Sequence, residues 1–80
     1  MGFAKNEAEI AKRASDFLKA EIGKAELTYA ELADLMRKHG HPNESAESIK
    51  QKLKRGTFPA TFLLAAMAAL GLENVALEDL

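Results

Sequence analysis

The chain has 80 residues, a formal net charge of −1 and no cysteine. A chain this short forms one domain with a modest core, which excludes a two-domain enzyme. Hydrophobic residues make up 48% of the composition, a fraction that is typical of globular rather than disordered proteins. The lack of cysteine excludes disulfides, thiolate metal sites and cysteine catalysis. We therefore expect a single domain over residues 1–80.

The sequence contains no recognisable export or membrane signal. Charged residues follow the first methionine almost at once, so we expect no apolar leader. The most apolar stretch, residues 62–70, is about half as long as a helix that spans a bilayer. We therefore expect a cytoplasmic protein that does not enter a membrane.

Glycines and prolines divide the chain into segments that are rich in the strong helix formers Ala, Leu, Glu and Lys. The first predicted helix runs from about Glu7 to Ala25, with Asn6 as its N-cap and Glu9 as the capping-box partner. Its apolar stripe, at helical spacing, consists of Ile10, Ala14, Phe17, Leu18 and Ile22.

The second predicted helix has the clearest start signal in the sequence. Thr28 is placed as an N-cap and Glu31 lies three residues later, which together form a capping box. Gly40 ends this helix, and basic residues occupy its last turn, where they suit the helix dipole. The side chains expected to face inward are Leu32, Leu35 and Met36.

The third predicted helix, Ser45–Arg55, follows a turn at residues 41–44 and is stopped by Gly56. Its narrow buried stripe consists of Ala46, Ile49 and Leu53, and its other residues are polar. A helix with so few apolar positions packs by one edge and leaves the rest to solvent.

The fourth predicted helix runs from Pro59 to Gly71 and is apolar on all sides, which indicates the central buried helix. Leu72 is placed to close a Schellman motif after Gly71. A short final helix is predicted at Val75–Leu80. These signals predict an all-α bundle of four to five helices.

The order of these signals resembles the lambda-repressor-like (XRE-type) helix-turn-helix family. The resemblance lies first in the Thr-x-x-Glu-Leu-Ala segment that begins at Thr28. It continues in the polar helix that ends in Arg55-Gly56 and in the apolar helix that ends at Ala69-Leu70-Gly71. The segments at residues 28–33 and 52–58 also resemble an uncharacterised bacterial subgroup of this fold.

The resemblance implies that the third helix enters the major groove of DNA and that its neighbours contact phosphates. The residues expected to contact bases are Ser45, Glu47, Ser48, Gln51 and Lys52. The residues expected to contact phosphates are Thr28, Tyr29, Lys50, Lys54, Arg55 and Thr57.

The distribution of charge supports this interpretation better than the net charge does. Residues 36–57 carry a charge of +4, whereas residues 1–35 carry −2 and residues 58–80 carry −3. Positive charge is therefore concentrated on the segment that would face DNA. Glu44 and Glu47 count against DNA binding, because near the start of the third helix they would repel phosphate.

Other kinds of site have weaker support. His39, His41 and Glu44 lack a further ligand that would complete a metal site. Ser45, Ser48 and His41 imply no oxyanion loop or acid partner, so we do not expect an enzyme. We expect no cofactor and no small-molecule ligand.

Apolar residues near the chain ends have two possible places. Phe3, Val75, Leu77 and Leu80 either complete the core or form a patch between two copies. We expect a homodimer through the C-terminal segment, acting as a bacterial or phage transcriptional regulator. The alternative is a protein-interaction module on the same fold, antitoxin-like or adaptor-like, that does not bind DNA.

Overall fold

The computed structural model describes residues 6–72, which form four α-helices and contain no strand. These are α1 (Glu7–Lys24), α2 (Tyr29–Lys38), α3 (Ala46–Arg55) and α4 (Ala60–Ala69). The predicted all-helical fold class is confirmed. The predicted final helix, Val75–Leu80, and the apolar chain ends lie outside the described residues.

Three helices begin at side-chain caps, two of which the sequence predicts. The Asn6 side chain accepts a hydrogen bond from the Glu9 backbone N–H at 2.9 Å. The capping box of Thr28 and Glu31 is complete, with both of its hydrogen bonds formed. Ser45, predicted as the first residue of the third helix, is instead its N-cap and forms a capping box with Ser48.

Helices α2 and α4 end in Schellman motifs, in which a glycine supplies the left-handed residue that the motif needs. Gly40 lies in the left-handed region at φ 83°, and the following N–H of His41 donates to the Met36 carbonyl at 3.0 Å. Gly71 has φ 76°, and the N–H of Leu72 donates to the Met67 carbonyl at 2.9 Å. The predicted Schellman motif at Leu72 is therefore confirmed.

One hydrophobic core lies between the four helices. Its buried apolar residues are Leu18, Ile22, Leu32, Ala33, Met36, Ile49, Leu53, Phe62 and Ala66. Helix α2 packs against both α3 and α4, and α1 packs against α3. Ser15 is buried in the α1–α3 contact, where its hydroxyl donates to the Leu53 carbonyl at 2.6 Å. Helix α3 is thus held along one edge by α1 and α2.

The structure corrects the predicted burial of α1 and α4. Ile10, assigned to the apolar stripe of α1, is 40% exposed. Helix α4 is not the central buried helix, because only Phe62 and Ala66 are buried and Leu64 is 63% exposed. A helix that is apolar on all sides gives no periodic signal, so the sequence could not indicate which face of α4 the core would cover.

Candidate nucleic-acid interface

One face of α3 is open to solvent along the whole length of the helix. Glu47, Lys50, Gln51 and Lys54 are exposed and recur every three or four residues, as residues on one helical face do. Ile49 and Leu53 lie on the opposite side and are buried. We call these four exposed residues the open face of α3.

Cations dominate the open face and the end of α3. Within residues 6–72, Lys50, Lys54 and Arg55 form no ion pair, so their charges are available to an outside partner. The carboxylate of Glu47 accepts a hydrogen bond from the Gln51 amide at 2.9 Å and forms no ion pair within that range. The net charge of these exposed residues therefore favours an anion.

Two residues predicted on this face point elsewhere. Ser48 and Lys52 are half-buried, and the Lys52 side chain is only 22% exposed. Ser48 and Lys52 lie four and eight residues after Glu44, so the three residues share one side of the segment. The predicted open position of Lys52 is therefore wrong. Ala46, predicted to be buried, is exposed instead.

Glu44 is the centre of a buried polar cluster. Its side chain is 1% exposed and pairs with Lys52 through Oε2, which also accepts from His41 Nε2 at 2.9 Å. The Ser48 hydroxyl donates to Oε1 at 2.6 Å. We call these four residues the Glu44 cluster.

The hydrogen bonds of the Glu44 cluster determine the charge of this carboxyl group. Burial raises the pKa of Glu44, but hydrogen bonds from Lys52, Ser48 and His41 lower it by more, so the pKa lies below its ordinary value. Glu44 is therefore ionised at neutral pH and already paired. The expectation that it repels phosphate is wrong, because its charge is neutralised inside the protein.

The Glu44 cluster packs against α4 and accepts a hydrogen bond from α2. The Lys52 ammonium lies 4.8 Å from the centroid of the Phe62 ring, and the His41 ring lies against the same ring at 6.5 Å. Arg37 of α2 donates to the Glu44 backbone carbonyl at 3.2 Å. These contacts fix the connection between α2 and α3, and with it the direction of α3.

The predicted phosphate contacts outside α3 lie at two separate places. Thr28 is exposed at the start of α2, where its hydroxyl accepts the N–H of Glu31 at 3.1 Å. Tyr29 is half-buried and packs against the core. Thr57 is exposed directly after Gly56, beyond the end of α3. Thr57 and Arg55 are therefore neighbours, whereas Thr28 and Tyr29 belong to another helix end.

The described residues form neither a metal site nor a membrane-spanning helix. Within residues 6–72, no three His, Asp or Glu side chains gather closely enough to hold a metal ion. His39 is exposed, whereas His41 pairs with Glu44. None of the helices in that range has the length and apolar character needed to cross a bilayer.

The role of Glu44 was not predicted, although the sequence contains a signal for it. The residues at positions 44, 48 and 52 are Glu, Ser and Lys, a carboxylate followed by two donors at helical spacing. This row runs alongside the buried pair Ile49 and Leu53. An acid and its donors at the border of an apolar stripe are typical of a half-buried polar cluster.

Comparison with known proteins gives a family but no function. A family model described as a domain of unknown function (DUF6471) matches residues 10–75. This range includes α2, α3 and α4 and most of α1. Neither the curated proteins nor the solved structures give a match.

Proposed function

Since the chain belongs to the DUF6471 family, a domain of unknown function, we propose a function from the geometry of α3. The protein binds double-stranded DNA, with α3 placed in the major groove as the resemblance to the lambda-repressor-like family implies. It acts as a transcriptional regulator in the cytoplasm of a bacterium, or for a phage, and has no catalytic role.

The observation that supports this proposal is the open face of α3. Lys50 and Lys54 are exposed cations on this face, and they form no ion pair within residues 6–72. A helix that is buried along one face and cationic on the exposed face matches the major groove in shape and in charge.

The residues divide between the two kinds of DNA contact. Lys50, Lys54 and Arg55 contribute positive charge to the phosphates, and Thr57 adds a hydroxyl nearby. Gln51 has the amide group that pairs with adenine, and Glu47 has the carboxylate that accepts from cytosine.

Ser45 lies exposed at the leading end of α3, within the part of the helix that would reach base edges. The base contacts proposed for Ser48 and Lys52 require these residues to leave the Glu44 cluster. We therefore expect these two residues to contribute less to base recognition than Gln51 and Glu47.

The proposed regulator is a homodimer, because palindromic DNA sites need two recognition helices about 34 Å apart. The C-terminal segment proposed for this contact lies outside the described residues. Helix α4 precedes that segment and exposes Leu64.

A salt titration tests DNA binding directly. We expect the protein to bind a fluorescent duplex of random sequence in anisotropy measurements, with affinity that falls steeply as salt increases. The variants Lys50→Ala and Lys54→Ala each weaken binding to all duplexes alike and reduce the salt slope by about one.

The matched control is Lys24→Ala, which removes an exposed lysine from the end of α1. We expect it to bind like the unmodified protein. If the unmodified protein binds no duplex at about 50 mM salt, the proposal is wrong. Equal losses in all three variants would indicate a general charge effect and would also contradict it.

A protein-interaction module is the second candidate, and the surface of α4 favours it. Helix α4 carries no charged residue, and its Leu64 is the most exposed large hydrophobic side chain within residues 6–72. The same titration separates the two functions, since an interaction module gives no salt-dependent binding to duplex DNA.

A further inference from the structure

A basic groove lies between α1 and the end of α3. Its α3 wall contains residues that were predicted to contact phosphates, whereas its α1 wall contains none of the predicted DNA contacts. The groove encloses about 420 Å³. Its α1 wall includes Lys12, Asp16 and Lys19, and its other wall includes Lys54, Arg55 and the loop that follows. We call this the α1–α3 groove.

Charge in the α1–α3 groove is unbalanced. Among the described residues, four cations and one carboxylate line it, and the carboxylate is already paired, because Lys12 Nζ lies 2.6 Å from Asp16 Oδ2. Within residues 6–72, Lys19, Lys54 and Arg55 form no ion pair. The lysines lower the pKa of Asp16, mainly through the hydrogen bond from Lys12 and with a smaller effect of the charge of Lys19.

A buried hydrogen bond joins α1 and α3 at the floor of the groove. The Ser15 hydroxyl of α1 donates to the Leu53 carbonyl of α3 at 2.6 Å, and both residues are buried. Gly56 lies at φ 74°, which lets the chain turn away at the end of α3 close to α1. These contacts hold α1 close to the end of α3 and bring the cations of the two walls to one groove.

The groove is continuous with the open face of α3, since Lys54 belongs to both. A duplex that receives α3 in its major groove has a phosphate backbone on either side of that helix. We propose that the α1–α3 groove binds one of these phosphate backbones and that Lys19 of α1 contacts it. This inference rests on the proposed DNA binding and extends the interface to a third helix.

Two substitutions on α1 test the groove without changing α3. We expect Lys19→Ala to weaken duplex binding and to reduce the salt slope by about one. We expect Asp16→Asn to tighten binding and to steepen the slope, because it removes the only carboxylate that residues 6–72 contribute to the groove and releases Lys12. Circular dichroism checks that both variants remain helical.

Each variant has a matched control on the same helix. Lys24→Ala removes a lysine, and Glu21→Gln removes a carboxylate that pairs with Lys24 at 3.3 Å, just as Asp16 pairs with Lys12. We expect both controls to bind DNA like the unmodified protein. If all four variants shift binding according to charge alone, the groove is not a specific contact and the inference is overturned.

The remaining outcomes distinguish the groove from the proposed function. If Lys19→Ala and Asp16→Asn bind like the unmodified protein while Lys50→Ala loses affinity, the groove inference is wrong and DNA binding through α3 stands. If the unmodified protein binds no duplex, both are wrong.

Discussion

Glu44 carries an ionised carboxylate on a side chain that is 1% exposed. Removing such a charge from water is costly, and the cost is offset only when hydrogen bonds and an opposite charge replace the lost solvent. Here Lys52 supplies the opposite charge, while His41 and Ser48 supply the remaining donors. The stability of the α2–α3 connection therefore depends on the ionisation of one residue.

The pH dependence of folding follows from the lowered pKa of Glu44. A carboxyl group whose pKa is lower in the folded protein stabilises it above the ordinary pKa of 4.5, and the contribution is lost as the pH falls through the folded value. Glu44→Gln has one acceptor oxygen for three donors, so we expect it to unfold more easily at pH 7 by about 1–3 kcal/mol. Urea denaturation measures this.

The control for this prediction is Glu47→Gln, an exposed carboxylate on the neighbouring helix turn. We expect its unfolding free energy at pH 7 to change little. The difference in stability between Glu44→Gln and the unmodified protein should also shrink below pH 4.5. A difference that is constant from pH 7 to pH 3 would contradict the assigned role of the charge.

At the scale of the helices, the end of α1 differs from the ends of α2 and α4. The same Schellman hydrogen bonds form, with the N–H of Leu27 donating to the Ile22 carbonyl at 3.3 Å. The left-handed position, however, is Glu26, at φ 57°, rather than glycine. A residue with a Cβ atom is strained there, so this helix end is less stable than the others.

Glu26→Gly should therefore stabilise the protein. The left-handed strain of about 1–2 kcal/mol disappears, while the more flexible unfolded chain costs about 0.4–1 kcal/mol, which leaves a gain of about 0.8 kcal/mol. Urea denaturation at neutral pH measures it. The control Glu26→Ala removes the same charge but keeps a Cβ atom, so we expect no gain. Equal gains in both variants would show that the charge, not the backbone, matters.

At the scale of the whole molecule, polar and apolar surfaces lie on different helices. Helix α3 shows solvent a face with Lys50 and Lys54, whereas α4 has no charged residue and exposes Leu64. Separate surfaces of this kind allow a protein to contact DNA with one helix and a second copy of itself with another.

The proposed homodimer makes the exposed part of α4 testable. We expect Leu64→Ser to weaken self-association in sedimentation velocity measurements, because it removes the most exposed large apolar side chain within residues 6–72. Ala20→Ser, at an exposed position of α1, is the control and should associate like the unmodified protein. If neither variant changes the sedimentation of the protein, α4 takes no part in a dimer.

The sequence by itself determined the ends of the four helices to within about two residues. Caps and glycine stops act through hydrogen bonds to residues a few positions away, so Thr28 with Glu31, and Gly71 with Leu72, could be predicted without the fold. The buried pair Ile49 and Leu53 was equally clear, because a few apolar residues in a polar helix can face only the core.

Where polar and apolar positions do not alternate along a helix, only the tertiary structure decided which of its side chains are buried. The exposure of Leu64 depends on which side of an entirely apolar helix α2 covers. The partners of Glu44, Lys52 and His41, pack against the ring of Phe62, which lies on another helix. The α1–α3 groove joins lysines more than thirty positions apart in the chain. Such contacts arise from packing between distant segments, which local hydrogen bonds and helical periodicity do not determine.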